Sequence, residues 1–466
     1  MKFYCDCLIA LPSTVIGSQK DSLLLKAINQ LHHHLKSHIM VVNDNSARSR
    51  RKFLKKAFAS LAAGTAGVYG INRAYGNTGQ AREQAQEEAE TLNTWTKEDL
   101  LITKLETFKV KPRFLFLKIH TNQGITGLGE PITEGRADTC AEAVKEIGKY
   151  LIGKDPRRII HHWQAIYRHS FYRGGPILTS ALSGVEQALW DIKGKALGVP
   201  IYELLGGPTR DRIRVYAHAR TPEAIRQARE EGYTAFKTGV LNSRQSGIVA
   251  SPRFIDEAAR NFADLRSAAG DDADIGIDFH GAISPQNAAL LIRELEPMQP
   301  FFIEEPVNCQ NVEVMAQLAR ETHLPIATGE RIFTKWGFRE ILEKGAATIL
   351  QPDICHAGGI FEGRLIAGMA EAYYAAVAPH NPLGPISLAC GLQLAASIPN
   401  FLCQEQVTLG EGYLKEPFQV SDGHIPLPTG PGLGIELDEE ALADKLGHDW
   451  RNPETYLDSD GSVVDW

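Results

Sequence analysis

Three short runs, DIGIDFH (residues 274–280), PFFIEEP (300–306) and PIATGE (325–330), decide how this chain folds. Each is apolar and β-rich for most of its length and ends in carboxylates: Asp278, Glu304 and Glu330. Helical segments lie between them, AALLIRELEPM (288–298) and NVEVMAQLARETH (311–323). The same texture continues outward. IRVYAHA (213–219) and YTAFKTG (233–239) precede these runs, and TILQPD (348–353), AAVAPH (375–380) and FLCQEQ (401–406) follow them. Eight β-rich runs alternating with helices within about 200 residues predict a parallel α/β barrel. A doubly wound sheet is the alternative, but no Gly-x-Gly-x-x-Gly follows the first strand.

In such a barrel the chemistry gathers at the C-terminal ends of the strands. Asp278, Glu304 and Glu330 are spaced by 26 and 26 residues, one strand-plus-helix repeat each; Asp353, His380 and Glu405 end the later strands. Three carboxylates converging from adjacent strands repel one another unless a cation lies between them, and hard oxygen ligands suit Mg²⁺. A single acid would read as a salt-bridged strand terminus; three in register do not. His280 lies two residues beyond Asp278, so strand alternation aims both at the barrel mouth. His380 lies one strand from Asp353, which can orient its imidazole and stabilise the protonated form.

Before the barrel, LLITKLETFKVKPRFLFLKIHTNQGITGLGE (100–130) reads as strands with turns at Asn122-Gln123-Gly124 and at Gly127. Residues 138–205 are mostly helical, with apolar spacing of three and four in SALSGVEQALWDIKGKAL (180–197). The expected organisation is an α+β capping unit over 98–210, the barrel over 211–409, and a Gly/Pro-rich segment, 410–466, returning to the cap. Hydrophobic residues make up 43% of the 466 and charged residues 23%, which excludes a disordered or disulfide-scaffold chain. The net charge of −7 is uneven: residues 1–76 hold 11 Lys/Arg against 3 Asp/Glu, and the rest hold 38 against 53. So acidic a body repels phosphate backbones and excludes nucleic acid as a partner. No apolar run reaches the ~18 residues of a membrane span, so no stable membrane anchor is expected.

The basic end reads as an address. Arg50-Arg51-Lys52-Phe53-Leu54-Lys55 precedes a weakly apolar run and the small residues before Gly76, the order of a bacterial twin-arginine export signal over 45–76. Export to the periplasm or beyond is expected, with 77–97 as a tether. Residues 1–44 are expected to lie outside the product, with translation starting at Met40. Beyond Cys5 and Cys7, five cysteines remain without metal-type spacing.

KPRFLFLKI (111–119), the cap stretch from Phe171 to Pro200, DFHG, FIEEP, GERIF, ILQPDICHAGGI, APHNPLGPI, QEQ and the terminal DWRNP together resemble the enolase superfamily, mandelate racemase subgroup, and within it the galactonate and related sugar-acid dehydratases. The likeness runs from about Leu100 to Trp466. It implies a modified TIM-type barrel, (β/α)7β, under an α+β cap, and one Mg²⁺ per subunit on Asp278, Glu304 and Glu330. It also implies that His380 with Asp353 removes the proton next to the substrate carboxylate. His280 would protonate the departing 3-hydroxyl and Glu405 would hydrogen-bond the enolate. Arg113, Tyr172, Arg173, Lys237 and Glu405 would contact a small-molecule sugar acid, in a homo-oligomer. The expected product is a 2-keto-3-deoxy sugar acid; a racemase or epimerase, and a sugar-acid binding protein without turnover, are the alternatives. The chain departs from the family pattern at Gly239, where many racemases carry a second lysine and galactonate dehydratases an asparagine. It departs again at Ala282 in place of an arginine, and in the stretch LNSRQSGIVASPRF (241–254). Gluconate, arabinonate and an aldarate therefore stay open beside galactonate.

Overall fold

The computed structural model describes residues 99–169 and 171–465. The leader, the tether and the region before them lie outside the described residues.

The described chain begins with an antiparallel sheet, β1 (Ile102–Val110), β2 (Phe114–Thr121) and β3 (Thr126–Gly129), in that order. Four helices follow: α1 (Ala137–Leu151), α2 (Ile159–His169), α3 (Pro176–Leu197) and α4 (Ile201–Leu204). The turn at residues 122–124 forms where the sequence places it, with Gly124 N–H bonded to Thr121 O at 3.2 Å. Gly127 is not a turn. It sits inside β3, because a Cβ there would overlap the Ala188 carbonyl of α3 and one on Gly129 would overlap the Gly184 carbonyl. The glycines let strand and helix backbones touch.

The barrel consists of β5 (Ala217–His218), β6 (Ala235–Gly239), β7 (Asp274–Asp278), β8 (Ile303–Glu304), β9 (Ile326–Thr328), β10 (Ile349–Leu350) and β11 (Ala376–Val377), parallel and in sequence order. Between them run α5 (Pro222–Glu230), α6 (Pro252–Ala269), α7 (Pro285–Leu295), α8 (Val312–Glu321), α9 (Thr334–Lys344) and α10 (Ile360–Ala372). After α11 (Pro385–Ser397) the chain makes parallel bridges from Phe401 to Val377 and from Gln404 to Val215, which close the ring. This is the (β/α)7β form. Three connecting helices start with Pro at the first turn and a Thr or Ser cap: Thr221, Ser251 and Ser284 each accept a backbone N–H. A further short sheet pairs β4 (Arg212–Arg214) with β12 (His424–Pro426), ahead of the last helix, α12 (Glu439–Ala443).

Cap and barrel are joined by buried carboxylates rather than by apolar packing alone. Glu186 of α3 accepts the Ile360 and Phe361 N–H groups at the start of α10 (2.8 and 3.0 Å) and the Trp190 indole N–H. Glu130, just past β3, accepts Gly384 N–H and Ser387 N–H at the start of α11 (2.8 and 3.0 Å). Both sit at helix N-termini, where the backbone presents unpaired donors and favours negative charge. These two helices follow the loops that carry Asp353 and His380. The C-terminal segment returns to the cap sheet through Lys111 N–H to Lys445 O (2.8 Å) and Gly447 N–H to Lys109 O (2.8 Å). Among the described residues no helix is long and apolar enough to cross a membrane.

Candidate active site

The strand ends open into a cavity of about 840 Å³ lined by Asp278, His280, Glu330, His380, Glu405 and Lys237. Arg113 of the cap lines it too, and donates to Glu134 (2.7 Å) and Pro382 O (2.8 Å). Asp278 and Glu304 face each other across adjacent parallel strands. Lys237 of β6 sits beside them: its ammonium is 2.8 Å from Glu304, 2.8 Å from Glu405 and 3.8 Å from Asp278. Gln351 donates to the other Glu304 oxygen at 2.8 Å. Burial, opposed by Lys237 and reinforced by neighbouring carboxylates, pushes Asp278 and Glu304 each up to about 7.

His380 bridges two acids. Its Nδ1 lies 2.8 Å from Asp353 Oδ2 and its Nε2 3.1 Å from Glu330 Oε2. Asp353 is held in turn by Cys355 N–H at 2.7 Å. Burial disfavours the imidazolium, but the Glu330 and Glu405 charges and the Asp353 hydrogen bond outweigh it and hold His380 well above its ordinary range. Glu330 is correspondingly held below the usual carboxylate range, chiefly by His380 against the cost of burial.

His280 reaches the cavity by a route the strand period does not give. β7 ends at Asp278, and His280 is left-handed (φ 56°), with its N–H bonded to Asp278 Oδ1 at 2.6 Å. A turn, not alternation, brings the two together. Burial holds this imidazole below its ordinary range. Glu405 accepts from Lys237, from Asn381 N–H (2.8 Å) and from His218 (2.9 Å). Lys237 and His380 keep it ionised despite burial, so it is an acceptor here. Donating to an enolate, as the resemblance implied, would require it first to take up a proton.

Tyr172 and Arg173 are not among the residues that line the cavity. Phe171 and Tyr172 are 89% and 83% exposed, and the Arg173 guanidinium lies over the Tyr167 ring of α2 at 6.0 Å. That ring is stacked in turn on Trp163 and Trp336, and the cation is held over its face. The sequence reading in turn missed three groups: His218, Arg220 and the clasp of Gln245. His218 could have been found as the polar residue near the end of IRVYAHA, and Arg220 as the residue just after that run, since the first barrel strand ends there. The clasp could not, because Gln245 meets residues more than two hundred positions away, donating to Tyr456 O (2.9 Å) and accepting from Asp458 N–H (3.0 Å).

As the side chains stand, no three His, Cys, Asp or Glu groups among the described residues are close enough to hold an ion. The cause is visible: Glu330 turns to His380, and Lys237 takes the cationic place beside Asp278 and Glu304. The donor chemistry nonetheless fits a hard divalent ion, because the three acids are carboxylates from adjacent strand ends, and burial with mutual repulsion raises the affinity of Asp278 and Glu304 for positive charge.

Comparison with known proteins agrees with this architecture. Residues 220–441 match the enolase C-terminal domain-like family, and residues 91–206 match the mandelate racemase / muconate lactonizing enzyme N-terminal domain. The chain is 48% identical over 385 residues to a D-galactonate dehydratase of Ralstonia nicotianae, covering 78% of this chain and 100% of the relative. A D-galactonate dehydratase of Pectobacterium atrosepticum is 47% identical over 382 residues, with the same coverage. Among solved structures, an enolase superfamily member from Salmonella Typhimurium superposes with a TM-score of 0.71 at 33% identity, covering 75% of this chain and 99% of that one. A mandelate racemase/muconate lactonizing enzyme from Jannaschia sp. CCS1 gives 0.71 at 31% identity, over 76% of this chain and 100% of that one. With the carboxylates at successive strand ends, the His–Asp pair and a cap braced onto the barrel, the chain belongs to the mandelate racemase / muconate lactonizing enzyme family of the enolase superfamily.

Proposed function

We propose that the protein is a Mg²⁺-dependent sugar-acid dehydratase of the galactonate dehydratase kind. It would remove the proton next to the carboxylate and expel the 3-hydroxyl as water, leaving an enol that tautomerises to a 2-keto-3-deoxy sugar acid. The observation that carries this reading is the placement of two histidines on one cavity with the strand-end carboxylates, His380 bridged by Asp353 and Glu330 and His280 in the turn bonded to Asp278. The 48% identity to a D-galactonate dehydratase supports the same chemistry.

Asp278, Glu304 and Glu330 would hold the ion, which would offset the charge that develops on the carboxylate end of the substrate. Lys237, positioned by Glu304 and Glu405, can donate to a substrate carboxylate oxygen. His380 takes the α-proton only after losing its own, so the rate rises with pH through its titration. Asp353 fixes the tautomer that leaves Nε2 facing the substrate. His280 delivers a proton to the leaving hydroxyl from its protonated form, which its lowered affinity makes a ready donor. Racemisation finds less support, since position 239 is glycine and the one lysine of β6 is already engaged.

Incubating the protein with Mg²⁺ and a panel of aldonates and aldarates, and assaying 2-keto-3-deoxy product, tests the reading. Product from at least one acid is expected. Exchange of the α-proton with solvent and no keto acid from any member would replace it with racemase chemistry.

A further inference from the structure

The first barrel strand carries two polar side chains into the mouth that the mechanism above leaves unused. His218 lies at the end of β5, and its Nε2 is 2.9 Å from Glu405. The ladder continues one residue further, Ala219 N–H donating to Lys237 O at 3.0 Å, so Arg220 follows on the same side as His218, about 6–7 Å farther out. Arg220 lines the same cavity, and among the described residues it has neither an ion pair nor a hydrogen-bond partner. Two other cations of the site are committed: Arg113 to Glu134, and Lys237 to Glu304 and Glu405.

The neighbouring wall, which follows β6, is built rather than loose. Residues 240–245 form it together with Glu454, Thr455 and Tyr456 of the C-terminal segment, and Gln245 ties the two together. Asn287 of α7 anchors the same loop, donating to Gly247 O (3.1 Å) and accepting Ala250 N–H (2.9 Å). Arg244 projects from this loop into the cavity lining.

A polyol end needs neutral donors and acceptors, whereas an arginine without a carboxylate partner is matched by an anion. We propose that Arg220 reads a second carboxylate at the far end of the substrate, so that the preferred sugar acid is a dicarboxylate (an aldarate) rather than an aldonate. The proposal rests on the dehydratase reading for its chemistry, but not for its binding preference.

The test compares matched pairs, galactarate with galactonate and glucarate with gluconate. Calorimetric binding uses Mg²⁺-loaded His380→Asn protein, in which turnover is blocked, and kcat/KM is measured on the wild type. Tighter binding of an aldarate than of its aldonate is expected. Arg220→Met should then lower the aldarate-to-aldonate affinity ratio by about 10- to 100-fold, the worth of a charge-assisted hydrogen bond, with Arg220→Lys recovering part of it. Equal or tighter binding of the aldonates, or an unchanged ratio in Arg220→Met, would overturn the proposal. If no acid is turned over, the dehydratase reading falls, and the binding ratio still decides the role of Arg220.

Discussion

His380 has a carboxylate on each ring nitrogen, and the two have different consequences. Asp353 is buried beneath it and sets the tautomer; Glu330 faces the cavity and raises its proton affinity. In the metal-free protein, Glu330→Gln removes one of these charges, so the His380 titration should move to lower pH, read as its imidazole resonance by NMR. An unchanged midpoint would show that Glu330 does not govern His380. The sign for stability follows. The raised His380 contributes stability that is full below its unfolded value near 6.5 and is lost as pH rises through the folded one. The lowered Glu330 contributes stability present above about 4.5 and lost as pH falls through its folded value. The metal-free wild type should therefore exceed Glu330→Gln in denaturant stability most clearly between about pH 5 and 6.5, with the margin shrinking at either side.

At the scale of elements, the cap acts on the catalytic loops through two helix N-termini. Glu186 satisfies two backbone donors of α10 and the Trp190 indole from a fully buried position. Glu186→Leu would strand those donors, each costing about 1–3 kcal/mol, so a loss of several kcal/mol in chemical denaturation is expected. A change within about 0.5 kcal/mol would mean that water replaces the carboxylate. None of this bracing was legible in the sequence. Glu186 falls in a helical run whose apolar spacing announces the helix and says nothing of what its acid meets. The barrel strands were legible because each is apolar and ends in a polar residue. Asp278, Glu304 and Glu330 could be assigned to one place because a repeat of 26 residues fixes their neighbours. Loop geometry was not legible in the same way. Neither the left-handed turn at His280 nor the seat of Arg173 on the Tyr167 ring follows from strand or helix periodicity, and Gly127 reads equally as a turn or as a close approach until α3 is placed against it.

At the scale of the whole molecule, the concentrated negative charge at the strand ends links stability to divalent ions. Binding to the folded state alone adds RT ln(1 + [L]/Kd), about 2.7 kcal/mol at a hundredfold excess over Kd. Mg²⁺ should raise the thermal midpoint, and Asp278→Asn should blunt the rise. An equal rise in both proteins would place the ion elsewhere. For the N-terminal region we propose export through the twin-arginine route. Replacing both Arg50 and Arg51 with lysine should then leave the protein in the cytoplasm on fractionation, and equal export of both forms would refute the address.

The division of labour between the two histidines is the center of the account, and isotope exchange tests it most directly. With the Mg²⁺-loaded enzyme, deuterated water and a sugar acid that the wild type dehydrates, His280→Asn should still wash deuterium into the position next to the carboxylate while forming little keto acid. His380→Asn should do neither, with exchange slowed by at least about 10²-fold. Exchange at the wild-type rate in His380→Asn, or its loss in His280→Asn with product still forming, would contradict the account.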